Sequence, residues 1–556
     1  MKRFLLMSML LLAGSLMGIC QQNQRPQRVM PSEMVYTQAF GSYSNRTVEG
    51  RSFNFAPTFL IYPDTKLTEQ QAKALVDEMR VEEIGKASQG TFIVASPAGA
   101  KYDFAKDKEA FINIFNALRS GNLKLIGIGQ GATFVNALMV ESCGYVSGVA
   151  TYNGKKASVK KGAYAGVPAY VAGKTAKSAA QEYEILNAAE KDYEPLLTVS
   201  QGQGEMSLDA FFKDAWDKTL KKAYRFNNYK HTHYEGCDYG QYGVYELEPF
   251  TIAEDLGIIR KDVVKQQRSG LPWLWYEYWP EELMDQSKVP AGSVPVMVLL
   301  HGNTNDPRTQ AETSGFIEVQ GRDRSFFVVE MEWQGSATAG AMGHDGVEST
   351  IYELLAKYPQ LDGTRVYAEG LSAGSMTATA LGIKKSHVFA AVGGHNGAIF
   401  GSAAISGIST SQPLWREATQ KRGGVETAYI SLLGTADNVV PFFTKDNYKG
   451  NSFLNAWNTY EQLNGMEVIS DLDFSVDPLF GFRLQDRKTI TTHKGAGIQM
   501  ETGQIYKDGV PLIKIVAVKD YGHWNFKPTA QIMWDYFKQF SRDPKTLKLI
   551  YTKQSK

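Results

Sequence analysis

Short apolar runs recur along the first half of this chain at spacings that suit strands. F-L-I-Y (59–62), F-I-V-A (92–95), L-K-L-I-G-I (123–128), V-S-G-V-A-T-Y (146–152), A-Y-V-A (169–172) and L-L-T-V (196–199) are brief and rich in β-branched or aromatic residues. Stretches of helical period, such as Thr68–Met79 and Asp107–Leu118, lie between several of them. Strands that alternate with helices predict a mostly parallel, doubly wound α/β sheet. The same alternation resumes after a Tyr/Gly-rich stretch at 226–243. Candidate strands there are 244–248, 273–278, 296–300, 326–330, 365–369, 389–393, 428–433 and 513–518, and a helix from Pro528 to Phe540 closes the series.

Two similar alternations in one chain call for a repeat test. Placing Gly127 on Gly370 also brings Gly131 onto Gly374, Ala137 onto Ala380, Leu138 onto Leu381, Val149 onto Val392 and Asn153-Gly154 onto Asn396-Gly397, without a gap. Further on, A-Y-V-A-G-K-T-A-K (169–177) resembles A-Y-I-S-L-L-G-T-A-D (428–437), and Trp216-Asp217 meets Trp534-Asp535. These ordered blocks predict two copies of one fold. The expected organisation is a leader at 1–20, an N-terminal extension at 21–49, a first copy at 50–225, a linker at 226–243, a second copy at 244–545 and a tail at 546–556.

The second copy carries chemistry. G-L-S-A-G (370–374) follows the strand-like R-V-Y-A-E and precedes the helix-like S-M-T-A-T-A-L. A G-x-S-x-G between strand and helix is a nucleophile elbow, a tight turn that exposes the hydroxyl of Ser372. A serine hydroxyl needs a base to attack at neutral pH. On such a sheet the partners follow in the order serine, acid, histidine. Asp437, in L-L-G-T-A-D-N-V-V-P, stands where the acid belongs, with Asp446 as its rival; His523, in D-Y-G-H-W-N-F, stands where the base belongs. The backbone N–H of Ala373 and one from Asn303 or Thr304, after the strand ending at His301-Gly302, are the candidate oxyanion donors.

The pieces V-M-V-L-L-H-G, R-V-Y-A-E-G-L-S-A-G-S, L-G-T-A-D-N-V-V-P and Y-G-H-W resemble the α/β-hydrolase esterases of the polyhydroxybutyrate depolymerase and feruloyl or acetylxylan esterase group. The resemblance implies two α/β-hydrolase-like domains and, in the second, a serine carboxylester hydrolase that works through an acyl-enzyme and needs no metal or other cofactor. It implies an ester substrate, polymeric or not. The stretch from Tyr448 to Asp520 is longer than this connection requires, so an insertion over the pocket at 448–520 is expected. Trp333, His344, His395 and Trp524 are further candidates for the pocket wall, and His301 for bracing the loop beside it.

The first copy lacks all of this. Gly129 replaces Ser372, Lys177 replaces Asp437, Glu205 replaces His523, and Pro63-Asp64 replaces the His301-Gly302 turn. It is therefore expected to be a hydrolase-like domain without hydrolase activity. His231, His233, Glu235, Cys237 and Asp238 alternate in the linker but have no second ligand cluster, so no metal site is expected.

Composition adds where the chain works. Lys2 and Arg3 precede an apolar stretch from Phe4 to Met17 and then G-I-C-Q-Q, the pattern of a secretory leader ending at residue 20. That implies a secreted or periplasmic protein; lipidation at Cys20 is the weaker reading because Ile19 is bulky. No other segment is long and apolar enough to span a bilayer. With 59 basic and 58 acidic residues, the charge gives no argument for nucleic acid. Cys143 and Cys237 either pair or stay separate, and two cysteines are no disulfide scaffold. Oligomeric state is not legible. Two other functions compete, a serine peptidase of the same fold and a non-enzymatic surface binding protein. The βα alternation of the first half argues against a propeller-bearing peptidase, and the intact serine, acid and histidine argue against a mere binder.

Overall fold

Among the described residues, two large sheets form, one from each half of the chain. The computed structural model describes residues 30–41, 46–48, 51–53, 56–118, 122–159, 166–188, 197–223, 225–227, 247–249, 253–265, 274–302, 307–333, 344–398, 426–437, 439–469, 471–492 and 498–553. The first sheet holds β1 (Met34–Ala39), β2 (Thr58–Tyr62), β3 (Thr91–Ala95), β4 (Leu123–Ile128), β5 (Gly148–Tyr152), β6 (Ala169–Ala172) and β7 (Val199–Gln201). Their order across the sheet is β1-β3-β2-β4-β5-β6-β7. All neighbours are parallel except β1, which runs antiparallel to β3. Strands β2 and β3 are buried along their whole length, as expected where helices cover both faces of a parallel sheet.

The second sheet holds β8 (Ile258–Val264), β9 (Leu274–Pro280), β10 (Val294–Leu300), β11 (Phe327–Met331), β12 (Leu361–Gly370), β13 (Phe389–His395), β14 (Ala428–Gly434), β15 (Gln485–Thr492), β16 (Ile498–Lys507) and β17 (Val510–Val518). Its order is β8-β9-β11-β10-β12-β13-β14-β17-β16-β15. Strip off β8 and the β15–β16 hairpin, and the order repeats that of the first sheet, with β9 antiparallel to β11 as β1 is to β3. Register agrees as well. Tyr62 faces Gly127 as Leu300 faces Gly370, and Leu125 faces Val149 as Ala368 faces Val392. Both sheets are mixed α/β with a parallel centre, the architecture of an α/β-hydrolase.

Helices fill the crossovers. In the first half these include α1 (Glu69–Glu78), α2 (Phe104–Leu118), α3 (Gln130–Ser142), α4 (Ala176–Asn187) and α5 (Leu208–Lys218). Helix α1 starts where the sequence says it should. Thr68 caps it, its hydroxyl accepting from Gln71 N while the Gln71 side chain accepts from Thr68 N, so two orphan N–H groups are satisfied together. In the second half the helices that matter for the site are α6 (His344–Lys357), α7 (Ala373–Lys384), α8 (Ser452–Leu463) and α9 (Pro528–Phe537).

Three expectations are revised. Residues 34–39, expected in an extension outside the first domain, pair with β3 and form that sheet's edge. The strand expected at 244–248 appears as Leu247–Pro249 and pairs with Arg225–Asn227 in a separate ribbon. The outermost strand of the second sheet at that end is instead β8, I-I-R-K-D-V-V, half exposed and charged. An edge strand tolerates such residues because one side faces water, which also discourages pairing with other chains. The leader and nearly all of the 226–243 linker, with its His/Cys/Asp/Glu cluster, fall outside the described residues.

The 448–520 stretch builds the sheet. Strands β15 and β16 add to β17 as an antiparallel hairpin, and the exposed alternation of β15 suits an edge. Helix α8, capped by Asn451, buries Phe453, Trp457 and Tyr460 against the sheet. Tyr460 stacks on Tyr429 with ring centroids 4.2 Å apart and donates its hydroxyl proton to Thr379 O at 2.7 Å.

One buried charge in α8 carries a pH prediction. Burial pushes the Glu461 carboxyl up to about 7, although Ile469 N donates to one of its oxygens at 2.9 Å. A carboxyl whose folded-state value is raised favours folding below its unfolded value near 4.3, and that contribution disappears as pH rises through about 7. Glu461→Gln is therefore expected to raise stability at pH 8 by about 3 to 4 kcal/mol and to leave it unchanged near pH 4. Urea unfolding at both pH values checks this; an equal effect at both would remove ionisation as the cause.

Candidate active site

Strand β12 ends at Gly370 and helix α7 begins at Ala373, so Ser372 occupies the turn between them. Its φ is 53° and ψ −115°, a conformation that L side chains rarely adopt. Neighbouring hydrogen bonds hold it there: Ser372 N donates to His395 O at 2.9 Å, and Met376 N donates to Ser372 O at 3.0 Å. The side chain makes no capping bond to its own helix and is partly exposed. Such stored strain at a serine between strand and helix is the structural signature of a nucleophile elbow.

Asp437 and His523 meet. Asp437 follows β14 in a tight turn, with its N donating to Gly434 O at 3.2 Å. Its Oδ1 accepts from Val439 N at 2.8 Å and Val440 N at 2.9 Å, which fixes the carboxylate plane. Its Oδ2 accepts from His523 Nδ1 at 2.7 Å. A carboxylate only accepts, so the proton on this edge belongs to Nδ1. Both residues are buried, His523 at 1% and Asp437 at 4% exposure, where a charge-assisted bond is strong. Asp446, the rival acid, is exposed and lies elsewhere on the same loop.

The remaining candidates surround this core. His301 is buried, with Nδ1 2.8 Å from Gly302 O and Nε2 3.3 Å from Glu332 Oε1. Trp333 Nε1 donates to His301 O at 2.9 Å, so both residues brace the turn after β10. Asn303 and Thr304, in that turn, fall outside the described residues, whereas Ala373 is the first residue of α7. His344 opens α6; burial, aided by the Lys384 charge, pushes its imidazole down to about 4, so it is neutral at pH 7. His395 gives its backbone carbonyl to the elbow, while its ring contacts Thr529 on α9 and lies 3.5 Å from Glu369 Oε2. Trp524 is buried in the core beside His523.

The sequence reading missed a buried polar brace under the elbow. Gln310 Nε2 donates to Glu369 Oε1 at 2.9 Å, and Asn525 Nδ2 donates to Gln310 Oε1 at 3.0 Å. Glu369 lies three positions before Ser372 and Asn525 two after His523, so the brace ties both segments to one glutamine. Nothing in the local pattern announces it, because its members come together only in the fold.

Residues 293–430 match the family described as Esterase PHB depolymerase, a span that includes β10, the elbow and the start of β14. The matched residues lie within the second half of the chain, which is similar over that span to the α/β-hydrolase esterases of that group. The match supports carboxylic ester hydrolysis as the activity class. No curated protein matches the chain. Solved structures that align with it include an acetyl xylan esterase from Aspergillus awamori, 15% identical over 50% of this chain and 99% of that one, with a TM-score of 0.35. An S-formylglutathione hydrolase from Agrobacterium tumefaciens is 12% identical over 51% of this chain and 95% of its own, with a TM-score of 0.33. An acylaminoacyl peptidase from Pyrococcus horikoshii is 14% identical over 56% of this chain and 48% of its own, with a TM-score of 0.31.

The first copy repeats the backbone of this elbow but not its side chains. Gly129 adopts φ 57° and ψ −115°, the elbow conformation of Ser372, and donates to Tyr152 O at 2.9 Å as Ser372 donates to His395 O. What fills the turn differs. Gln130 N, at the position of Ala373, donates to Asp64 Oδ1 at 2.7 Å. A Cβ on Gly129 would stand 2.0 Å from the same oxygen, so the first copy has no room for a serine there. Near the positions of Asp437 and His523 the first copy has an exposed Lys174–Glu205 ion pair at 2.8 Å, with Lys174 at the register position of Gly434. Lys177, opposite Asp437 by strand register, is exposed on α4.

Proposed function

We propose that this protein is an exported serine carboxylester hydrolase that works through an acyl-enzyme. Ser372 Oγ attacks the ester carbonyl carbon while His523 Nε2 takes its proton, and Asp437 holds the imidazole in the tautomer whose Nε2 carries a lone pair. The oxyanion is held by Ala373 N–H and by an N–H from Asn303 or Thr304. Collapse of the tetrahedral intermediate breaks the C–O bond, and the alcohol leaves with the proton from His523. Water then attacks the acyl-serine by the same route, giving the acid and free Ser372.

The observation that carries this reading is the buried Asp437–His523 bond at 2.7 Å, made between loops that follow β14 and β17, on a sheet whose β12 ends in the strained Ser372. The first copy supplies support for the oxyanion site: at the equivalent elbow position, an N–H binds a carboxylate oxygen. The substrate we propose is an acyl ester linked to a polysaccharide or a hydroxyalkanoate ester. Export rests on the charged and apolar residues of positions 1–20. The first copy, which lacks nucleophile, acid and base, is proposed to be catalytically silent.

The test is hydrolysis of p-nitrophenyl acetate, methyl ferulate and a hydroxybutyrate oligomer by the wild type and Ser372→Ala. Activity on at least one ester, lost in Ser372→Ala, is the expected result, with an acyl adduct on the peptide containing Ser372 after rapid acid quench. A wild type that cleaves none of them, or a fully active Ser372→Ala, overturns the proposal.

A further inference from the structure

The strand that follows the elbow helix ends at His395, and the next residue, Asn396, turns back with φ 49°. Its side chain is buried and engages three main-chain groups. Nδ2 donates to Gly522 O at 2.9 Å and to Trp524 O at 2.8 Å, and Oδ1 accepts from Gly434 N at 2.7 Å. Gly522 and Trp524 flank His523. Gly434 ends β14, three residues before Asp437. One amide thus spans the loop of the base and the strand end that launches the acid, and it lies one residue after the carbonyl that holds Ser372 N.

We infer that Asn396 is a positioning residue for the ester-hydrolysing site, setting the distance between the histidine loop and the acid loop. This rests on the proposed serine mechanism. The first copy separates the clamp into two parts. Asn153 occupies the equivalent place with φ 59°, and its Oδ1 accepts from Lys174 N at 2.8 Å, at the register position of Gly434. Among the described residues, that acceptor bond is the only part of the clamp the first copy keeps. The two donor bonds to a histidine loop accompany the copy that has the histidine. The acceptor half therefore belongs to the fold, and the donor half to the site.

Physical chemistry makes the donor half hard to replace. An amide presents a donor and an acceptor at fixed separation, which a carboxylate or an alkyl chain does not. Without the amide, two carbonyls lose a buried partner, and the segment carrying His523 is free to relax away from Asp437. Misplacement of a catalytic group by about 1 Å is enough to cost ~100-fold in rate.

Two variants isolate the effect. Asn396→Gly keeps the left-handed backbone without strain and removes the whole clamp. Asn396→Asp keeps the backbone and the acceptor from Gly434 but turns the donor into an acceptor facing two carbonyls. The control is Asn464→Ala. Asn464 is an equally buried amide clamp at the opposite end of β14, accepting from Thr427 N at 2.9 Å and donating to Thr427 O at 3.0 Å. Kinetics on p-nitrophenyl acetate, labelling of Ser372 by a fluorophosphonate and thermal melting are measured on wild type, the three variants and Ser372→Ala.

Both Asn396 variants are expected to lose about 100-fold in kcat and in labelling rate, with KM within about twofold. Asn464→Ala is expected to melt earlier but to keep kcat. If folded Asn396→Gly or Asn396→Asp retains kcat within about threefold of wild type, or if Asn464→Ala loses as much kcat, the inference is overturned. If Ser372→Ala stays active, the serine mechanism itself fails, and the Asn396 inference falls with it.

Discussion

Asp437→Asn is expected to lower kcat by about 10⁴ while the protein stays folded and KM changes little. The size follows from which way the new amide must point. Asp437 Oδ1 accepts two backbone N–H groups, from Val439 and Val440. An asparagine keeps those bonds only by placing its carbonyl oxygen there. Its NH2 then occupies the Oδ2 position, 2.7 Å from His523 Nδ1. Two donors cannot face each other, so Nδ1 must give up its proton and the proton moves to Nε2. On the proposed mechanism, Nε2 is the atom that accepts the Ser372 proton, and a protonated Nε2 cannot. The variant is thus close to isosteric yet holds the wrong tautomer. Asp437→Ala is expected to be less severe at high pH, because the imidazole keeps freedom to choose its tautomer. Steady-state kinetics of both variants with p-nitrophenyl acetate, with circular dichroism to check folding, decide the point. An Asp437→Asn that keeps more than about a tenth of wild-type kcat would remove Asp437 from the proposed triad.

The parts of this structure that were legible in the sequence share one property: they are fixed locally. The elbow glycines, the Asn-Gly strand ends and the apolar runs of the central strands are dictated by backbone conformation or by burial on both faces. Seven identities between the two copies therefore sufficed to pair Gly127 with Gly370 and Val149 with Val392, the correspondence that strand register reproduces. The parts that were not legible depend on distant partners. Strand β8 has its apolar residues only at its two ends, and Arg260, Lys261 and Asp262 between them break the run because one of its sides meets water. The 448–520 stretch read as an insertion over the pocket: Asp508-Gly509 after I-Q-M-E-T-G-Q-I-Y-K signals a hairpin, but not that the hairpin will extend the central sheet through β17. The bonds of Asn396 to Gly522 and Trp524 bridge more than a hundred residues, and Asn-Gly by itself signals only a turn. Asp64 shows the same limit. Its place in the first copy's elbow was visible as a lost oxyanion turn, but not its bond to Gln130 N.

A matched pair of substitutions, Gly374→Ala and Gly131→Ala, is expected to separate folding from catalysis across the two copies. Each glycine sits in the first turn after its elbow, with the neighbouring strand end pressed against it. A Cβ on Gly374 would stand 1.9 Å from Leu300 O and 2.7 Å from His301 O; a Cβ on Gly131 would stand 2.1 Å from Tyr62 O and 2.5 Å from Pro63 O. Every one of these atoms is backbone, so no rotamer change relieves the clash. The strand end and the helix must separate in either copy, at a cost on the order of 3 kcal/mol. The stability losses are therefore expected to be alike. The catalytic losses are not. In the second copy the displaced groups are the elbow of Ser372 and the turn after His301, and kcat per folded molecule is expected to fall by about 100-fold. In the first copy the displaced groups are Gly129 and the turn bearing Asp64, and kcat per folded molecule is expected to stay at the wild-type value. Urea unfolding gives the first comparison, and kinetics normalised by fluorophosphonate titration give the second. A drop in normalised kcat for Gly131→Ala equal to that for Gly374→Ala would mean that the first copy takes part in turnover, against the division of labour proposed for the two halves.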